Sequence, residues 1–446
     1  MKRLPDVRRV TLDLLRRSPS AAQLAGRLRA MGLVAAFGVV ALAVPVAADT
    51  IAITGATIYQ RSDTKLEGAT IVIRDGRIVE VGVGVAVPAG ATRIDGKGKT
   101  VTAGLIEAST QIGLVEVDAE DTANDGRFGT QPTEVHAGYR TMDAYNSRSV
   151  AIPVARTGGV TSAITGPAGG LIAGQSAWVS LADSATPLAA LRAPAAMEAA
   201  LGRAALAVGS RGHTVERLRE LFDDVDAYRR NRANFERNAS RRLIAQRLDL
   251  EAMIPVLEGR ELLVVHAAAE VDIRAALAIA AERRLRIAIA GGTEAWRVAK
   301  ELAAAKVAVL VDPTDNLPGD LGAIDARDDN ATVLAKAGVV VGISTLGGAS
   351  AARTIRQLAG IAVAQGLPWA KGLAAITEVP AQLYSGGGGA AERGTLERGK
   401  VADVVVWSGD PLELSSTAET VIIGGVVQSP VTHQTKLRDR YKVLRK

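Results

Sequence analysis

Residues 101–116 read VTAGLIEASTQIGLVE. The apolar run 101–106 suits a buried strand, and Glu107, Ser109 and Gln111 follow at a spacing of two, which sets the side chains of an extended chain on one face. An apolar strand that delivers polar groups past its end lines a site. Two patterns meet here. On the N-terminal side, residues 50–84 alternate like hairpin strands, and Asp75-Gly76, between 70–74 and 77–81, is a two-residue turn signal. On the C-terminal side, strands are expected at 160–165, 176–181, 262–266, 286–290, 307–311 and 339–343, with helices at 272–284, 293–305, 328–337 and 353–364. Repeated strand–helix units imply an α/β chain with a parallel sheet. Their number suits a (β/α)8 TIM-like barrel with some strands unidentified, and Rossmann-type winding is the alternative.

Composition agrees. Of 446 residues 48% are apolar but only 3% aromatic, so the core is built from Ala, Val, Leu and Ile, as in helix-covered parallel sheets. The length fits one barrel domain and a smaller accessory domain.

The first 48 residues stand apart. Eight Lys and Arg up to Arg29 oppose Asp6 and Asp13, an uncharged apolar run follows over 31–46, and Ala47 and Ala48 close it. This is the order of a cleavable signal peptide, with a mature chain starting at Asp49. A stable membrane anchor is not expected, because the run is short and holds Gly32, Gly38 and Pro45. The segment accounts for the whole formal charge of +6, which leaves the remainder neutral and removes the electrostatic case for nucleic-acid binding. With no cysteine there are neither disulfides nor thiolate metal sites. The expected address is periplasmic or secreted.

The stretch quoted above resembles the strand-1 signature of the amidohydrolase superfamily, proline-glycine-hydrophobic-hydrophobic-Asp-x-His-x-His. Ala103 stands for the proline, Glu107 for the aspartate, and Ser109 and Gln111 for the two metal-binding histidines. GTLERGK at 394–400, followed by ADVVVW at 402–407, resembles the family's C-terminal signature. The resemblance spans 49 to 441. It implies that both chain ends, 49–103 and 394–430, close into one small β-sandwich beside a barrel at 104–393, with a tail at 431–446. It also implies a nominal hydrolase of non-peptide C–N bonds, whose metal ligands come from successive strand ends.

Set against that implied ligand set, this sequence is depleted. His266 falls at the strand-5 histidine. Gly291, before Gly292-Thr293-Glu294, falls at the strand-6 histidine, and Ser344-Thr345-Leu346 stands where the family reads Ser-Thr-Asp. No lysine occurs between Lys99 and Lys300 to serve as a bridging ligand, although a glutamate there stays open. The four histidines, His136, His213, His266 and His433, show no HxH or HxxH spacing. Serine and glutamine are poor zinc donors, and glycine and leucine offer none. The expectation is therefore no binuclear metal centre and no other cofactor, with one weakly held divalent cation as the most the set allows.

His266, Glu107 and Glu294 are the candidate catalytic groups, and Ser109, Gln111, Gly291, Thr293 and Thr345 the candidate ligand-binding rim of the barrel mouth. Each has a structural alternative: a hydrogen-bonded strand-end histidine, a capping or salt-bridged carboxylate, and for Glu294 an anion favoured in a first helical turn. GPAGGLIAG at 166–174 lacks the lysine of a phosphate loop and reads as loop architecture. In 213–259, Val215, Leu218, Phe222 and Val225 recur at helical spacing, while Arg229, Arg230, Arg232, Arg237, Arg241 and Arg242 form a basic stretch that is either a solvated face or a partner surface.

Three functions stay open. One is a hydrolase of a cyclic amide or dipeptide-like substrate. Another is a catalytically weak or silent barrel that binds a small molecule, self-associates as a homo-oligomer or supports an active paralogue. The third is a metal-free enzyme using His266 and a carboxylate. The ligand chemistry favours the second.

Overall fold

The computed structural model describes residues 50–128, 134–183, 190–319, 321–386 and 391–442; the signal-peptide expectation lies outside them. The N-terminal strands are β1 (Thr50–Arg61), β2 (Thr64–Arg74), β3 (Arg77–Gly82), β4 (Thr92–Asp95) and β5 (Thr100–Ala103). The turn at Asp75-Gly76 joins β2 to β3 with Arg74 paired to Arg77. A second sheet holds β6 (Leu105–Thr110), β7 (Val160–Thr165), β8 (Ile172–Ser180), β9 (Ala190–Ala200), β10 (Leu263–Ala267), β11 (Ile287–Gly291), β12 (Ala308–Val311) and β13 (Val341–Ile343). The last strands, β14 (Val404–Trp407), β15 (Ala418–Ile423) and β16 (Val426–Val427), return to the first sheet, where β14 pairs with β5. The molecule is an α/β protein with a TIM-like barrel and a small β-sandwich that draws strands from both chain ends.

The single strand expected over 101–106 is two strands in different sheets. β5 pairs with β14 in the sandwich and β6 with β7 in the barrel. Gly104 makes the crossing, and a Cβ there would lie 2.2 Å from Thr161 Oγ1, so only the residue without a side chain passes.

The barrel sheet runs β6 to β13 in sequence order. Its edges meet through a Thr110–Gly347 bridge, with Gln111 N donating to Gly347 O at 3.3 Å, which excludes an open Rossmann-type sheet. Two features were not expected. β9 was not read as a strand, and β8 runs antiparallel to both neighbours. The glycine-rich 166–174 segment turns β7 back as a hairpin where a helical crossover would otherwise stand. The helix expected over 293–305 is a 3-10 turn at Ala295–Val298 followed by Ala299–Ala304.

Inside the barrel, Ile106, Ala108, Val264, Ala288 and Leu310 pack with Trp178 and Tyr384. Small alanines leave room for the two large rings, the compromise of an aromatic-poor composition. The outer cluster joins strand backs to helices, and the sandwich has its own core of Ile53, Ile58, Ile71 and Val404 among others. In the segment after β9, helix Arg211–Arg230 buries Leu218, Leu221, Phe222 and Val225. In the basic stretch, Arg229 pairs with Asp226, Arg232 with Glu236 and Glu251, and Arg241 with the buried Asp224. Among the described residues no helix is long and apolar enough to cross a membrane.

Candidate functional site

The C-terminal ends of the parallel strands form one rim, and His266 stands on it. In β10 His266 is paired with Ala200 of β9, and Val264 with Glu198. Ala196 and Val264 belong to the interior cluster, so the alternation of the strands points Glu198 and His266 into the barrel as well. Glu198 lies two residues below Ala200 and reaches up to place Oε2 3.0 Å from His266 Nε2. The imidazole keeps 31% of its side-chain surface exposed and the carboxylate 7%. When Nε2 is the donor in this contact, Nδ1 is the ring's acceptor nitrogen. This arrangement can take a proton from a bound molecule. Glu198 was missed from the sequence because its strand was missed. The signal was there: it is the sole carboxylate between Asp183 and Glu216, and it sits on a middle strand, where a glutamate had been left open.

Glu107 is fully buried. Ser109 N donates to Oε1 at 3.2 Å, Thr345 N donates to the same oxygen at 3.2 Å, Thr345 Oγ1 donates to Oε2 at 3.1 Å, and Ser344 Oγ makes a short contact to Oε1. Burial pushes the Glu107 carboxyl up to about 7 against the pull of these donors. Ser344 has one hydrogen for two acceptors, Glu107 Oε1 and Ser109 O at 3.0 Å, and already accepts from Leu346 N at 3.2 Å. Tyr384, fully buried beneath, donates to Ala108 O at 2.9 Å. Burial raises its phenol well above the usual value, and the charges of Glu198 and Glu107 raise it further.

The other expected site residues divide. Glu294 is a structural carboxylate: it accepts from Glu270 N (2.8 Å), at the start of helix Glu270–Arg283, and from Asp325 N (3.1 Å). It is removed from the catalytic candidates because both oxygens are committed to backbone. Thr293 donates to Asp315, and Thr345 serves Glu107. Gly291 is paired with Ala267, whose side chain belongs to the outer cluster, so the residue facing the lumen beside His266 is Ala290. Likewise β6 turns Ile106 and Ala108 to the lumen, and Glu107 is held in the wall against the end of β13. Gln111 is buried, its Nε2 donating to Gly126 O at 2.8 Å. Ser109 is half-buried at the rim. Leu346 packs against the interior cluster.

At the positions the resemblance implies for metal ligands stand Ser109, Gln111, Gly291 and Leu346, of which glycine and leucine offer no side-chain donor. Among the described residues no three His, Asp, Glu or Cys converge to hold a metal ion. At the mouth, Glu198 and His266 lie within hydrogen-bond distance of each other.

The structure is similar to that of an amidohydrolase from Thermotoga maritima MSB8, with a TM-score of 0.76 and 26% identity over 84% of this chain and 99% of that one. Molinate hydrolase (TM-score 0.54, 18% identity, 86% of this chain and 95% of that one) and a β-aspartyl dipeptidase from Fervidobacterium islandicum AW-1 (0.52, 13%, 86% and 98%) share the fold. No protein-family model matches the sequence, and neither does any curated protein. These neighbours support the resemblance to the amidohydrolase superfamily that the strand-1 and C-terminal motifs carry.

Proposed function

We propose that the protein is an exported, metal-poor member of this superfamily whose barrel mouth binds a small molecule and turns it over slowly or not at all. One observation carries the reading: the side chains at the implied ligand positions are committed elsewhere, Gln111 to Gly126 O and Leu346 to the barrel interior, which leaves too few donors to hold a metal and keep one position open. Elemental analysis after purification in zinc or manganese should find well under one ion per chain. A stoichiometry near two overturns the reading.

A second reading rests on the 3.0 Å Glu198–His266 pair. With His266 as base and Glu198 holding the ring, the pair could activate water against a cyclic amide or dipeptide-like C–N bond without a metal. Hydrolysis that survives chelators and falls at least a hundredfold in His266→Ala would favour this enzyme over the silent barrel.

A further inference from the structure

A cavity of about 960 Å³ lies at the opposite rim, between the N-terminal ends of the barrel strands and the sandwich. Its charges are unevenly spent. On the sandwich side, Arg61 is paired with Glu378 (2.9 Å) and Glu397 (3.7 Å), and Arg393 with Asp403 (2.8 Å). On the barrel side the cations are uncompensated. Arg286 and Lys306 each stand two residues before the paired Ala288 and Ala308, so adjacent strands present them side by side. Arg286 reaches only the Arg260 carbonyl, at 3.5 Å, and among the described residues the ammonium groups of Lys306 and Lys371 have no partner. Lys371 stands on helix Trp369–Ala375, which together with helix Glu378–Tyr384 also supplies an aliphatic wall of Ala370, Ala374, Val379 and Leu383. Cations without carboxylate partners that line a pocket with an aliphatic wall gain from one anion with an apolar body.

We propose that this cavity binds an amphipathic carboxylate, its head among Arg286, Lys306 and Lys371 and its aliphatic body along the helical wall. The site lies away from His266 and stands whether or not the barrel mouth is catalytic.

Calorimetric titration of the intact protein with octanoate tests it. One saturable site per chain is expected, weakened at least tenfold for octan-1-ol, for acetate, and for the K306Q/K371Q variant; binding should persist in His266→Ala. Both lysines are solvent-exposed, so an unchanged thermal melt should accompany the loss in K306Q/K371Q. No saturable heat, equal binding of octan-1-ol or acetate, undiminished binding in K306Q/K371Q, or loss in His266→Ala each overturns the proposal.

Discussion

Glu107 is a carboxyl kept without water, and its chemistry can be read in the stability of the whole protein. Its value in the fold, about 7, lies above the ordinary 4.5. Folding therefore favours the protonated form, and that contribution is complete below pH 4.5 and lost as pH rises through 7. Glu261, also raised to about 7 by burial, acts in the same sense. Urea denaturation should show lower stability at pH 8 than at pH 5.5, with Glu107 responsible for about 2 kcal/mol of the drop. In Glu107→Gln that share should vanish, and an undiminished drop would mean that the carboxyl is ionised in the fold. At this scale the sequence was informative where a residue's role depends on its own strand. His266 closes an apolar run and was legible; its partner was not, because Glu198 is defined by a neighbouring strand 68 residues away.

Among the elements, the strands of Val and Ile were readable and those of Ala were not. β9 is ALRAPAAMEAA, alanine-rich and interrupted by proline, with little local preference for an extended chain; its pairing with β8 and β10 decides the matter. The direction of β8 was equally hidden, since a strand's own sequence does not record which way its neighbour runs. Between elements, close approach replaces propensity. Gly159, just before β7, has φ 85°, and a Cβ there would lie 2.3 Å from the Trp407 ring. That ring is fully buried, with its Nε1 donating to Thr102 Oγ1 at 2.9 Å, so it cannot swing away. Gly159→Val should lower stability by about 3 kcal/mol, combining overpacking with left-handed strain, measurable by denaturant titration; a change under about 0.5 kcal/mol, the scatter of ordinary surface substitutions, would show that the tryptophan yields.

For the whole molecule, the motifs at the two chain ends gave the architecture, because a composite sandwich and a barrel leave their signatures at the seams. The mouth was less legible, since which side chains face the lumen depends on the irregular pairing of β6 and β13. Export is tested by N-terminal sequencing of the native protein, which should begin at Asp49; a chain beginning at residue 1 would remove the case for a signal peptide. The sandwich bears on the order of events in such a chain. β5 finds its partner in β14, some three hundred residues later, so the sheet cannot be completed until the last strands have been made. Pairing at such sequence distance is slow. A nascent chain with this connectivity leaves the inner edge of β5 uncovered until its last strands emerge, so a chain cut short before them would expose that edge.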